Sequence, residues 1–305
     1  MHAASREALA VARAQLTEAV GSAVDGAVGG VAVVDTAVAN TAVVNTAAWE
    51  QLAAQLRDVS ALLVAQPRLR RALADPAQAP QQRVDLLTYL LANRVMLTAL
   101  RVLETVVRQR WSSAGDLLGA VELLTVDAEL QAAATGSAGT DGRAERADYA
   151  QLAEVEDELF RFHQIVTAHA RLLRALSDVG VAAADRARLA ARLLDGKARP
   201  VTTRLVVMAL HGLGGRSFAD GLLALVEFVA ERQQSQVAYL RSVAPLTAQQ
   251  EARLTRHLGE VYGRQISLKV RLDPTVVGGA VIEVGDDRYD GSVARLLEQA
   301  KTALA

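Results

Sequence analysis

The chain has 305 residues, 51% of them hydrophobic but only 4% aromatic, and a net charge of -1. That length allows two or three domains, each able to bury its own core. Arg interleaved with Asp and Glu argues against the basic face of a nucleic-acid binder, and the lack of cysteine excludes disulfides, thiol nucleophiles and Cys-ligated metals.

The first helix is predicted from about Ser5, which can cap it, to Val20. Ala8, Leu9, Ala12, Leu16, Ala19 and Val20 fall on one stripe at helical spacing. Arg6, Glu7, Arg13 and Glu18 interrupt any apolar core a secretory signal would need. Gly21 to Ala48 is low in complexity, with the near-repeat Thr-Ala-Val-Ala-Asn-Thr-Ala-Val-Val-Asn, and reads as an inserted linker that is partly helical near its end. Its most apolar run, Gly26 to Val34, has nine residues between two aspartates, whereas a membrane span needs about 20. Membrane association is therefore expected only through partners.

An internal repeat follows. A shift of 103 residues lays Trp49 on Leu152, Leu52 on Val155, Leu56 on Leu159 and Val59 on Phe162. At the same shift Arg68-Leu69-Arg70-Arg71-Ala72-Leu73-Ala74-Asp75 falls on Arg171-Leu172-Leu173-Arg174-Ala175-Leu176-Ser177-Asp178. Leu86, Leu90 and Leu91 then meet Leu189, Leu193 and Leu194, so polar identities and apolar period hold one register. The expectation is two tandem helical bundles, over 1–134 and 143–234. Asp75-Pro76, Ala79-Pro80 and Arg199-Pro200 punctuate their helices. A helix around Leu117 to Gln131 ends one bundle and begins the next, and Thr135 to Gly142 is the flexible join.

The pattern changes in the last segment, 235–305. Ile266 to Leu272 alternates as a half-buried strand, with Ser267, Lys269 and Arg271 on its polar side. Asp273-Pro274 ends it, and Gly278-Gly279 introduces a second apolar stretch, Ala280 to Val284. After the turn at Gly285-Asp286-Asp287, Asp290-Gly291-Ser292 opens a helix with Val293, Leu296, Leu297 and Ala300 on one side. The fold class is mainly α, closed by a small α/β module.

Residues for chemistry do not converge. His163 and His169 lie six apart, on nearly opposite sides of a helix, so they cannot share a metal. Gly212-Leu213-Gly214-Gly215-Arg216-Ser217 lacks the Lys and the preceding strand of a phosphate loop and reads as a helix–helix turn. No cofactor is expected. Composition alone leaves a helical RNA-binding factor or a general scaffold open.

The last segment resembles the C-terminal domain of ATP synthase delta subunits, called in mitochondria the oligomycin-sensitivity-conferring protein. The likeness is carried by Ser242-Val243-Ala244-Pro245-Leu246-Thr247, Tyr262-Gly263-Arg264 and Asp273-Pro274-Thr275-Val276-Val277-Gly278-Gly279, then Val284-Gly285-Asp286 and Asp290-Gly291-Ser292-Val293, in the family's order and spacing. The second copy stands where the family's six-helix domain belongs, and Val155 to Phe162 is similar to extended delta chains; the first copy is extra. The resemblance implies a non-catalytic stator subunit, peripheral on the cytoplasmic face of the cell membrane. Its helical domain would grip N-terminal helices of the α subunit in the catalytic head, and its tail would dock on the b subunit of the peripheral stalk. It further implies a groove between the first and fifth helices of a bundle, lined in copy one by Ala8, Leu9, Ala12, Leu16, Val102 and Val106. In copy two Leu205, Val206 and Ala209 take the fifth-helix positions.

Overall fold

The computed structural model describes residues 3–28, 36–134, 142–276 and 278–291. Among these the fold is mainly helical, with eleven α-helices followed by a four-stranded sheet near the C-terminus that has a twelfth helix between its first two strands. The helices are α1 (Ala3–Val28), α2 (Thr36–Ala65), α3 (Pro67–Ala74), α4 (Pro80–Leu91), α5 (Leu97–Arg108), α6 (Ala114–Ala134), α7 (Gly142–Ala168), α8 (Ala170–Ser177), α9 (Ala183–Leu194), α10 (Pro200–Leu210), α11 (Phe218–Arg232) and α12 (Ala248–Tyr262). A short 3₁₀ turn, Leu213–Gly215, joins α10 to α11. Gly212, Gly214 and Gly215 all have positive φ there, so the Gly-rich segment is the helix–helix turn its composition indicates.

Two local expectations change. The low-complexity stretch is helical over more of its length than expected, because α1 continues to Val28 and α2 starts at Thr36. Its Ala content favours helix, and helix satisfies each backbone donor and acceptor locally. Ser5 does not cap the first helix. It lies inside α1 and donates its hydroxyl to Asp116 at 2.7 Å, while accepting the Ser112 N–H at 3.1 Å. Of the join 135–142, only Gly142 lies among the described residues, as the first residue of α7. The C-terminal helix expected after Gly291 lies outside them.

Prolines set several helix starts. Pro67, Pro80 and Pro200 each occupy the first helical position, where a missing N–H costs nothing. Gln82 closes the start of α4 by accepting the Ala79 N–H at 3.2 Å. In α12, Thr247 accepts the Gln250 N–H at 3.3 Å and Gln250 accepts the Thr247 N–H at 2.8 Å, a reciprocal capping box. Gly263, at φ 65°, ends that helix.

The chain divides into two compact units, Met1–Leu152 with Arg174–Gly221, and Ala153–Leu173 with Leu222–Ala305. In the first unit α6 packs against α1, α2, α3, α5 and α10. Leu117, Leu124 and Leu130 of α6 are fully buried beside Leu52, Leu56 and Leu103, each contributing roughly 1.5–3 kcal/mol. Trp111 fills the end of this core and donates its indole N–H to the Val106 carbonyl at 2.8 Å.

The second unit holds the sheet, in the order β2-β1-β3-β4, with β1 Ser235–Ser242, β2 Gln265–Leu272, β3 Ala280–Val284 and β4 Asp287–Asp290. β1 and β2 are parallel, connected through α12, while β1–β3 and β3–β4 are antiparallel. Ala238, Ile266 and Val284 face α12, burying Leu258 against them. The sequence reading contains β2 and β3 but neither β1 nor β4. β1 (Ser-Gln-Val-Ala-Tyr-Leu-Arg-Ser) does not alternate cleanly, and β4 is four residues with three charges.

Candidate binding surfaces

The nine groove residues named from sequence are all buried within the chain. α1 and α5 pack directly on each other, and this brings Ala8, Leu9, Ala12 and Leu16 together with Val102 and Val106 in one core. Leu205, Val206 and Ala209 lie on α10 in the same unit, where they are fully buried. Exposed residues lie near them in sequence. On α1 and α5 those include Val11, which is 44% exposed, and Leu97, which is 63% exposed.

The motif residues of the tail serve as turns. Asp273 accepts the Thr275 N–H at 2.9 Å and its hydroxyl at 2.6 Å, and its own N–H donates to the Ser242 carbonyl at 2.8 Å. These Thr275 bonds, helped by Arg241 and Arg271, hold its carboxyl below the usual range. Pro274 follows in the turn, and Gly278 and Gly279 carry positive φ. Gly285-Asp286 is the two-residue turn between β3 and β4, with Gly285 at φ 58°. Asp290 ends β4, and the Gly291 N–H donates to the Ala280 carbonyl at 3.0 Å. Ser292 lies outside the described residues.

Sequence reasoning missed a set of buried carboxylates. On α6, Asp127 pairs with Arg13 of α1 at 2.9 Å, and Glu129 lies between Arg57 of α2 and Arg204 of α10. Glu122 accepts the Gly214 N–H at 2.6 Å. Burial pushes the Glu122 carboxyl up, against the opposing pull of that bond and of Arg70 and Arg216. Periodicity carries no signal for these acids, because a helix position reads as exposed until its neighbours are known. A helix buried on every side needs partners for each polar group it carries.

In the second unit, Glu156 and Asp157 of α7 both pair with Lys269 of β2. Beside this pair is a cavity of about 610 Å³, lined among others by Phe160, His163, Tyr239, Lys269 and Glu283. Phe160 stacks on His163 and tilts against Tyr239. Among the described residues the buried Tyr239 hydroxyl has no hydrogen-bond partner, and burial, with Glu227 and Glu156 nearby, raises its pKa. Among the described residues no group of three or more His, Asp or Glu is arranged to hold a metal, and no helix is long and apolar enough to cross a membrane. What the described residues show at these positions is packing pinned by buried ion pairs.

Comparison with known proteins gives one family. The family profile described as ATP synthase delta (OSCP) subunit matches residues 144–304. The ATP synthase subunit delta of Salinispora tropica is 47% identical over 253 residues, covering 83% of this chain and 88% of the relative. That of Streptomyces griseus is 38% identical over 306 residues and covers 100% of both chains. The Acidothermus cellulolyticus subunit is 39% identical over 256 residues, covering 84% of this chain and 89% of its own.

Proposed function

The chain belongs to the ATP synthase delta (OSCP) subunit family, whose members are non-catalytic stator subunits, and from that premise we propose how it joins the parts of the complex. It is a peripheral component of the ATP synthase complex. On the proposed reading it sits at the cytoplasmic face of the cell membrane, its helical part gripping α-subunit N-terminal helices of the catalytic head and its tail docking on the b subunit of the peripheral stalk. Two modest interfaces on one chain then hold against torque through effective concentration.

The helical part is read as a duplicated six-helix bundle, over 1–134 with an insertion at 21–48 and over 143–234, with the stalk-binding module at 235–305. What supports duplication is spacing: α3 and α4 recur as α8 and α9 at the 103-residue shift, with the same first and last positions. α10 likewise starts 103 residues after α5. Among the described residues the second copy has no separate counterpart of α1. α6 precedes α7 as α1 precedes α2, and α6 packs on α10 as α1 packs on α5. On this reading α6 is the last helix of one copy and the first of the next.

The same arrangement favours copy one for the α-subunit helix, in a helix-in-groove mode. Of the residues of α6, only Gly115 is exposed, so its seam with α10 offers no free helix face. α1 keeps a solvent face at Ala4, Glu7, Val11, Ala14 and Glu18. The incoming helix would lie over Ala8, Leu9, Ala12, Leu16, Val102 and Val106 and touch Val11 and Leu97, while Leu205, Val206 and Ala209 keep a packing role.

The observation that carries the proposal is family membership, with the profile matching residues 144–304 and a relative matching the whole chain. Co-purification of the tagged chain with catalytic head and b subunit, followed by imaging of the complex, tests it. Head density over the α1–α5 seam and stalk density on the tail are expected. A chain that captures neither partner overturns it.

A further inference from the structure

The alternation of β2 directs Ser267, Lys269 and Arg271 away from the side that packs on α12, and taken alone it leaves them to solvent. Instead Lys269 is only 5% exposed, and the group that receives it, Glu156 of α7, is 1% exposed. One oxygen of Glu156 accepts the Ser267 hydroxyl at 2.6 Å and the Lys269 ammonium at 3.1 Å. The other accepts the Gln233 side-chain amide at 2.8 Å, from the residue just past α11. Asp157 is a second acceptor for Lys269. Two turns further along α7, Gln164 donates to the Val270 carbonyl at 3.1 Å. One buried carboxylate therefore gathers donors from β2 and from the end of α11.

This contact has the character of a registered polar joint. The cavity of about 610 Å³ lies beside it, with Lys269 on its wall, and much of its lining is charged or hydrogen-bonding. Desolvating an ion pair costs about as much as the pair returns, so such a pair contributes little net stability. Misaligning it, however, strands a buried charge at a cost of several kcal/mol. A slipped or rotated sheet would break the three bonds to Glu156 together. Residue choice agrees: basic positions in this chain are nearly all Arg, and Lys269 places a compact ammonium where two carboxylates meet.

We propose that Glu156 is a positioning residue which, through Lys269, Ser267 and Gln233, fixes the orientation of the C-terminal sheet on α7. Resting on the stator reading above, this orientation sets the stiffness of the path between helical part and stalk.

The test is a double-mutant cycle on the full chain with Glu156→Gln, Lys269→Met and the pair combined. Amide hydrogen exchange is read at 265–272, with α3 to α5 as internal control. Each single variant is expected to speed exchange in β2 by about tenfold, since Lys269→Met leaves the buried Glu156 without its cation and Glu156→Gln leaves Lys269 only the exposed Asp157. The double variant, neutral at both positions, is expected to return towards wild-type protection. Unchanged β2 exchange in the single variants, or additive loss in the double, overturns the proposal. In the assembled complex, single variants are expected to keep ATP hydrolysis while proton-driven synthesis falls by half or more; full synthesis overturns the mechanical part. A wild-type chain that fails to assemble would instead sink the stator reading and leave the exchange result standing.

Discussion

Arg204 of α10 donates to Glu129 of α6 at 2.6 Å, tying residues 75 positions apart across one buried carboxylate that also receives Arg57. Glu129 therefore bridges two arginines from two helices, and each arginine side chain is about one-third exposed. Glu129→Ala leaves both without their acid and opens a void beside Leu130. A loss of about 3 kcal/mol is expected, with Glu129→Gln losing less. Urea unfolding of the two variants checks this, and equal midpoints for Glu129→Ala and wild type would refute it.

Glu122 makes stability depend on pH in a direction opposite to most carboxylates. Its carboxyl is raised above its ordinary value of 4.5, mainly by burial, so the folded chain binds its proton more tightly than the unfolded chain. Its contribution is fully present below pH 4.5 and is lost as pH rises through the folded value. Glu122→Gln removes this dependence, so the variant should gain on wild type from pH 4.5 upward. Urea midpoints across pH measure the difference, and parallel profiles would show that Glu122 does not titrate in this way.

Neighbouring residues on α1 separate packing from binding. Ala12 is fully buried against α5, so Ala12→Leu should overpack the seam and cost about 1–3 kcal/mol. Val11 faces outward, and Val11→Glu should change stability by no more than about 0.5 kcal/mol. If copy one holds the α-subunit helix, Val11→Glu should nevertheless weaken capture of the head by about tenfold, the effect of a charge placed in an apolar contact. Thermal melts and pull-downs on both variants give the comparison. A head-binding loss confined to Ala12→Leu would move the docking site elsewhere.

The reciprocal cap at the start of α12 rests on Thr247. Thr247→Ala removes the acceptor for the Gln250 N–H and should cost about 1 kcal/mol, whereas Thr247→Ser should be nearly neutral. Amide exchange at 248–252 reads the fraying directly, and unchanged protection in the alanine variant would contradict the cap.

Much of the helical plan was legible because it depends on local chemistry. Pro80 and Pro200 punctuate the helices where α4 and α10 start, and the leucines around Leu52 and Leu56 announce the faces to be buried. The motif around Asp273, Gly279 and Gly285 was readable for the same reason, since each residue satisfies a turn within a few positions. The outer strand β4 was not, because four polar residues become a strand only when β3 supplies the ladder.

The amino-acid sequence by itself determined the helical character, the turns and the family, all of which rest on short-range spacing and local chemistry. Only the tertiary structure decided which polar residues are interior. Nothing local marks Glu129, Glu156 and Lys269 as buried, yet each is sealed by elements from 72 to 113 positions away. Whether a charge is solvated depends on what packs over it. That is a property of long-range contact, on which local pattern is silent.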